Sequence, residues 1–309
     1  MALLFHSQVD DPLAWRDALI RLDPACDFRI WPHCGDVRQI EAALVWKPPQ
    51  DLIDALPNLR LLINLGAGVD HLLSAPGLPP SIPIARIVDA EMNRMMAQYV
   101  LLATLRHHRN FGAFERAGRL RQWDYIHPRS AADRTVGVMG LGQLGSTAAL
   151  ELARQGFQVR GWSRSPKALP GVLTFQGEDS LHLFLSKTDI LVILLPLTPE
   201  TRKLIDGAAL ASMPRGACLI NVGRGPLVDE QALIEALDSG QLSEATLDVF
   251  NVEPLPPEHP LWERPQVLIT PHLASIALPE SGAVQVLDNL KRLREGLPLL
   301  NLVDRKRGY

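Results

Sequence analysis

The chain has 309 residues, 47% of them hydrophobic and 21% charged, with a formal net charge of −3. That length accommodates two domains with separate cores. The balanced charge and the lack of a long apolar run exclude nucleic acid and membrane as expected partners.

The opening residues 1–6 are apolar but lack the length and basic flank of a signal peptide. Cys26, Cys34 and Cys218 are odd in number and show no metal-ligand spacing. Reduced thiols, no metal site and a cytoplasmic location are the expectation. Residues 2–5, 28–31, 43–46, 60–65 and 84–87 read as short strands, with helical stretches such as 12–22 between them. This alternation suggests a parallel sheet in an α/β layer. Such sheets carry their binding groups in the loops after the strands. Two loops qualify: Trp46-Lys47-Pro48-Pro49 and Leu65-Gly66-Ala67-Gly68-Val69-Asp70. The small residues of the second offer backbone N–H groups to an anion.

A long helix is expected over 91–109. Met92, Met95, Met96, Tyr99, Val100 and Ala103 recur at helical spacing and predict one buried stripe. Arg106, His107, His108 and Arg109 read as a solvated last turn, with Gly112 as the stop. Residues 115–134 read as a polar excursion around Trp123 and Tyr125, an arm suited to packing on a second subunit.

Residues 135–145 then supply the strongest local signal. A β-branched strand runs into Gly140-Leu141-Gly142-Gln143-Leu144-Gly145, a G-x-G-x-x-G turn opening a helix over 146–154 that ends at Gly156. Gly140 permits the turn, Gly142 lets a pyrophosphate approach the backbone and Gly145 lets helix and strand pack closely. The helix N-terminus favours phosphate. Further strands are expected at 159–162, 190–195, 218–222, 245–249 and 267–270, short apolar runs that suit a sheet covered on both faces. A final helix over 280–293 is expected to return to the first domain. The expected architecture is α/β: two Rossmann-like or flavodoxin-like doubly wound parallel sheets with an interdomain cleft. A discontinuous substrate-binding domain would comprise 1–98 and 276–309, and a dinucleotide-binding domain 99–275.

In NAD-binding folds a carboxylate about 20 residues beyond the glycines holds the ribose. Here the corresponding strand runs into Ser163-Arg164-Ser165-Pro166-Lys167, with no carboxylate at its end. Hydroxyls and cations suit the 2′-phosphate of NADP, which arginine grips in bidentate fashion. Two charge-assisted bonds of roughly 1.5–3 kcal/mol each would set a preference of about a hundredfold or more. NADP(H) is therefore the expected cofactor, with NAD(H) tolerated.

Three polar residues follow successive strand ends: Arg224, Glu253 and His272. Hydride transfer to a 2-keto acid needs a cation for the carboxylate and carbonyl, and a proton donor for the developing alkoxide. Arg224 suits the first role and His272 the second, with Glu253 on the far ring nitrogen. Each has an ordinary alternative when taken singly; together, beyond a dinucleotide turn, they point to catalysis.

These segments resemble the signatures of the D-isomer-specific 2-hydroxyacid dehydrogenases: the glycine turn, Asn221-Val222-Gly223-Arg224-Gly225, Leu247-Asp248-Val249-Phe250 with Glu253-Pro254-Leu255, and Thr270-Pro271-His272. Within that family the chain resembles the bacterial glyoxylate/hydroxypyruvate reductase A group, through residues 44–49, 65–70, Gly161-Trp162-Ser163-Arg164, 253–257 and 303–309. The resemblance implies a homodimer acting on small 2-keto and 2-hydroxy acids. Arg224, His272 and Glu253 would be the catalytic set. Trp46, Gly66, Ala67 and Gly68 would join Arg224 and His272 in holding substrate. Gln143, Leu144, Leu195, Pro196, Thr201, Val222, Gly223, Arg224, Asp248, His272 and Ala274 would join the glycines and the 163–167 loop at the cofactor. Two residues depart from the family pattern: Gln98, where glutamate is common, and Glu91, where a small residue is common. They leave open a larger 2-keto acid as substrate. A dinucleotide-sensing, corepressor-like role is the alternative from another class.

Overall fold

The structure is a computed structural model that describes residues 1–308. It divides into two compact units: Met1–Met92 with the segment from Ile276 onward, and Asn93–Ser275.

The first unit is built on a five-stranded sheet of β1 (Ala2–His6), β2 (Asp27–Ile30), β3 (Ile40–Val45), β4 (Leu61–Asn64) and β5 (Ile84–Arg86). Its order is β2-β1-β3-β4-β5, with every pairing parallel. This is the flavodoxin-like doubly wound order. Helix Pro12–Leu22 forms where the sequence places it. Asp11 accepts from the Leu13 amide at 2.9 Å, Pro12 pre-sets the first turn, and Trp15, Ala18 and Leu19 are buried. The last helix, Pro279–Glu295, packs on it so closely that a Cβ at Gly282 would press into the Trp15 ring. Gly296, at φ +67°, stops this helix in the left-handed conformation that glycine adopts without penalty. The tail then turns back to the sheet edge, where the Val303 amide donates to the Ile84 carbonyl at 2.8 Å.

The second unit holds seven strands: β6 (Thr135–Met139), β7 (Gln158–Ser163), β8 (Val172–Gln176), β9 (Ile190–Ile193), β10 (Ala217–Asn221), β11 (Leu242–Leu247) and β12 (Val267–Ile269). They pair in parallel in the order β12-β11-β10-β9-β6-β7-β8, the Rossmann arrangement extended by one strand. Both faces are covered. Along β9, Ile190 and Val192 join one buried cluster while Leu191 and Ile193 join the other, as a period of two demands.

Several expectations need correction. Strand β8 was not foreseen: it is a short edge strand, Val172–Gln176, whose apolar residues are interrupted by Thr174 and end at Gln176. β9 ends at Ile193, two residues early, and β11 begins at Leu242, three residues early. The helix after the glycine turn begins at Gln143, directly after Gly142. The long helix spans Ala90–His108, but Gly112 does not stop it. The chain turns at Asn110, at φ 57°, and Gly112 is buried in the next helix, Phe111–Arg119, where its missing side chain admits the Arg106 and Glu244 side chains. The first residues of the expected polar excursion are therefore helical. The following stretch 120–130 is exposed and irregular. His107 and His108 are not solvated; both are buried.

Candidate active site

The glycine turn has the shape its spacing implies. Gly140 has φ +97°, and a Cβ there would collide with the Leu194 carbonyl. A Cβ at Gly145 would overlap the Gly140 carbonyl, so helix and strand meet backbone to backbone. Gly142 differs: it is exposed, and a Cβ would meet nothing within 4 Å. It is also the N-cap of Gln143–Arg154, and no side chain caps that end. An open, uncapped helix N-terminus beside a side-chain-free turn fits the pyrophosphate of a dinucleotide. Gln143 is exposed and Leu144 half-buried on the first turn of that helix.

At the end of β7 the cation loop is only partly turned outward. Ser163 is buried and its hydroxyl donates to the Ser165 carbonyl at 2.7 Å, which orders the loop. Arg164, Ser165 and Lys167 are exposed. Glu200 is held below the usual carboxylate range, mainly by a hydrogen bond from Thr198, with its own amide and the Arg164 charge adding to it. Beyond β9, the Thr201 hydroxyl donates to the Pro196 carbonyl at 2.7 Å and accepts from the Thr198 amide at 2.8 Å, closing the loop that follows Leu195.

The β10 end is organised by Asn221, which is buried. Its Oδ1 accepts from the Gly223 amide at 3.1 Å and its Nδ2 donates to the Arg224 carbonyl at 2.9 Å. Val222 and Gly223 are buried in this turn. Gly225 lies against the Phe250–Asn251 backbone, where a Cβ has no room. The Arg224 guanidinium is half-buried, with Nη1 donating to the Gly223 carbonyl at 2.7 Å.

Glu253 and His272 meet. Glu253 Oε1 accepts from the Phe250 amide at 3.0 Å, and Oε2 lies 2.8 Å from His272 Nδ1. Both side chains are partly exposed, at 18% and 25%. A carboxylate so anchored fixes the imidazole orientation and places the ring proton on Nδ1 in the neutral form. His272 itself has φ 55°, an uncommon conformation for a residue with a Cβ. Asp248, 1% exposed, binds both flanks of this residue. Its Oδ1 accepts from the Thr270 hydroxyl at 2.6 Å and the Leu273 amide at 2.9 Å, and its Oδ2 from the Ala274 amide at 2.9 Å. Sequence reasoning had not singled out Thr270 or Asn221 for these roles. Both stand in motifs that carry the family resemblance, at strand ends beside a catalytic candidate, but their residue types do not announce these bonds.

The remaining predicted substrate residues, Trp46, Gly66, Ala67 and Gly68, lie in the other unit, just beyond the ends of β3 and β4. The Trp46 ring stands edge-on to His71, with centroids 4.9 Å apart, and covers Gly66, where a Cβ would strike it. Buried Asn64 donates to the carbonyls of Gly66 at 2.7 Å and Gly68 at 3.1 Å, and Arg86 donates to the Ala67 carbonyl at 3.1 Å. Three successive carbonyls are thereby drawn inward. Asn64 and Arg86 were absent from the sequence-based site, since their partners are backbone atoms that leave no motif. Among the described residues, no group of three His, Cys, Asp or Glu side chains could hold a metal ion.

A Rossmann sheet with an open glycine turn and a carboxylate-bound histidine at its strand ends defines a dinucleotide-dependent oxidoreductase. Residues 99–274 match the model of the D-isomer specific 2-hydroxyacid dehydrogenase NAD binding domain, and the chain belongs to that family. It is 37% identical to glyoxylate/hydroxypyruvate reductase A of Yersinia enterocolitica, over the full length of both chains. It is 54% identical to a D-isomer specific 2-hydroxyacid dehydrogenase from Xanthobacter autotrophicus Py2, solved in complex with NADPH and MES, with a TM-score of 0.94 over 100% of this chain and 99% of that one. It is 38% identical to an NADPH-dependent glyoxylate/hydroxypyruvate reductase from Sinorhizobium meliloti, solved with NADP and sulfate, with a TM-score of 0.93 over 100% of both.

Proposed function

We propose that the protein reduces small 2-keto acids with NADPH, converting glyoxylate to glycolate and hydroxypyruvate to D-glycerate. The observation that carries this reading is the 2.8 Å contact between His272 Nδ1 and Glu253 Oε2 at the strand ends of a dinucleotide-binding sheet. The names of the full-length relatives support the substrate class, and the nucleotides in the two solved relatives support NADPH.

The residues divide the work as follows. Arg224 pairs with the substrate carboxylate and polarises the keto oxygen, its orientation set by the bond from Nη1 to the Gly223 carbonyl. NADPH, when bound, supplies the hydride that reduces the keto carbon. His272, protonated on both nitrogens, delivers the Nε2 proton to the oxygen as negative charge develops there. Glu253 holds Nδ1 and keeps the ring oriented so that Nε2 is the nitrogen left to transfer the proton. His272 then regains its proton from water. Backbone amides of Ala67 and Gly68 are assigned to the carboxylate, and Trp46 to the side that limits substrate size. Arg164, Ser165 and Lys167 are assigned to the 2′-phosphate.

The test is turnover of purified protein, followed as loss of NADPH absorbance, across glyoxylate, hydroxypyruvate, pyruvate, phenylpyruvate and branched 2-keto acids, then repeated with NADH. Fast turnover of the two small oxidised acids with NADPH is expected. Turnover confined to the bulky acids would move the substrate assignment to larger keto acids. Binding of NADPH with no turnover of any acid would overturn the catalytic reading in favour of a nucleotide sensor.

A further inference from the structure

The long helix Ala90–His108 carries a side chain that the chemistry above leaves unused. Tyr99 lies on the stripe expected to be plain core, yet its hydroxyl stands 2.5 Å from Thr270 Oγ1. Thr270 in turn donates its only hydroxyl proton to Asp248 Oδ1 at 2.6 Å. The phenol must therefore be the donor to Thr270, which gives a one-way chain from Tyr99 through Thr270 to Asp248. The same carboxylate accepts the Leu273 and Ala274 amides. His272 thus sits between Thr270 on one side and Leu273 and Ala274 on the other, all tied to one buried anion, and its left-handed φ of 55° persists because both flanks are held.

We propose that Tyr99 is a positioning residue for His272, acting through Thr270 and Asp248 to fix the 270–274 loop. The inference rests on the assignment of His272 as proton donor. Two further observations support it. Burial pushes the Tyr99 hydroxyl up to about 12, so it remains a donor throughout the range in which the enzyme works. The same helix is also pinned near its C-terminal end, where His107 Nδ1 meets Glu244 Oε2 at 3.0 Å and Nε2 meets the Thr246 hydroxyl at 3.0 Å. Glu244 and Thr246 belong to the strand that leads directly into Asp248. His107 thus ties the helix to two positions of the strand that leads into Asp248, and Tyr99 ties the same helix to Thr270. Networks of this kind act as units, so removing either hydroxyl should break the same link.

The experiment compares Tyr99→Phe, Thr270→Val, the double variant and His272→Asn in the full-length protein. Tyr99→Phe keeps the ring and removes only the donor. Its kcat should fall roughly tenfold, a fraction of the ~10²-fold that a misplacement of about 1 Å costs. The KM for glyoxylate and the NADPH dissociation constant, read by nucleotide fluorescence, should stay within about twofold, because only the proton-transfer geometry is altered. Thr270→Val should show a similar kcat loss, and the double variant should be no worse than the poorer single. His272→Asn should nearly abolish turnover while still binding NADPH. A normal kcat in Tyr99→Phe beside an inactive His272→Asn would overturn the inference alone. So would losses that multiply in the double variant, or a loss confined to KM or to thermal stability. Retained turnover in His272→Asn would overturn the reading of His272 itself. If Tyr99→Phe fails to fold, Thr270→Val carries the same kcat-against-KM expectation.

Discussion

His272 holds a backbone conformation that costs on the order of 1–3 kcal/mol for a residue with a Cβ, and such strain survives only where the surroundings over-determine it. The Asp248 carboxylate supplies that constraint through donors on both sides of the histidine. A similar economy governs the cation loop, where Ser163 spends its donor on the Ser165 carbonyl and leaves Arg164 on the outside. A guanidinium there contributes a charge-assisted bond only to a cofactor bearing a 2′-phosphate. Arg164→Ala should therefore lower kcat/KM with NADPH by roughly 10- to 150-fold, the worth of a bond of about 1.5–3 kcal/mol, and leave NADH nearly unchanged. Parallel steady-state assays with the two nucleotides decide it, and equal losses would reject Arg164 as the phosphate ligand. Residue types at strand ends made Arg224, Glu253 and His272 visible in the sequence as candidates. The partners that hold them in place were not. Tyr99 and Thr270 are 171 residues apart, and Asn64 and Asn221 act on backbone carbonyls and amides, so neither spacing nor composition announces them.

At the scale of elements, what could be read depended on local chemistry. Pro12–Leu22 was legible because Asp11 and Pro12 mark its start and its apolar positions recur on one face. Strand β8 was not, because a short edge strand of partly buried and exposed residues, Val172 to Gln176, has neither a continuous apolar run nor clean alternation. The end of Ala90–His108 misled for another reason: Arg106, His107, His108 and Arg109 suit a solvated last turn by composition, whereas tertiary contact buries the two histidines. Burial by itself would push the His107 imidazolium down. The Cys218 sulfur beside the ring and the Glu244 carboxylate at Nδ1 outweigh it and hold His107 up at about 9. Burial likewise works against the Glu244 carboxylate, but His107 and Arg116, the latter 2.8 Å away, hold it below its usual range. A histidine raised in the folded state contributes stability that is complete below its unfolded value near 6.5 and is lost as pH rises through about 9. Glu244 acts in the opposite direction, its contribution disappearing only in acid. His107→Gln should therefore lower the unfolding temperature most near pH 6, and the gap to the parent protein should close above about pH 9. Thermal melts across that range, with nucleotide absent, would contradict the pairing if the gap stayed constant.

At the scale of the whole molecule, the second unit carries more exposed apolar surface than its own packing explains. Leu102 is 69% exposed on the long helix and Trp123 is 98% exposed on the irregular stretch that follows Phe111–Arg119. Phe111, Phe114 and Tyr125 are exposed on the same run of chain. Large apolar side chains left exposed along one run of chain suit a surface that another protein covers, and a permanent homodimer interface is the kind that resembles a core cut in half. The resemblance implies a homodimer, and on that proposal the occupant is a second copy of the chain. Light scattering on the purified protein should give twice the 34.1 kDa mass of one chain. Replacing Leu102 by Asp and Trp123 by Ser would force a charge into that contact, at a cost of several kcal/mol if it stayed unpaired. The double variant should elute at the single-chain mass and still bind NADPH, since neither substitution touches the glycine turn or the 163–167 loop. A parent protein that runs as a monomer at micromolar concentration would overturn the dimer. A double variant that stays dimeric would move the interface to another face of the molecule.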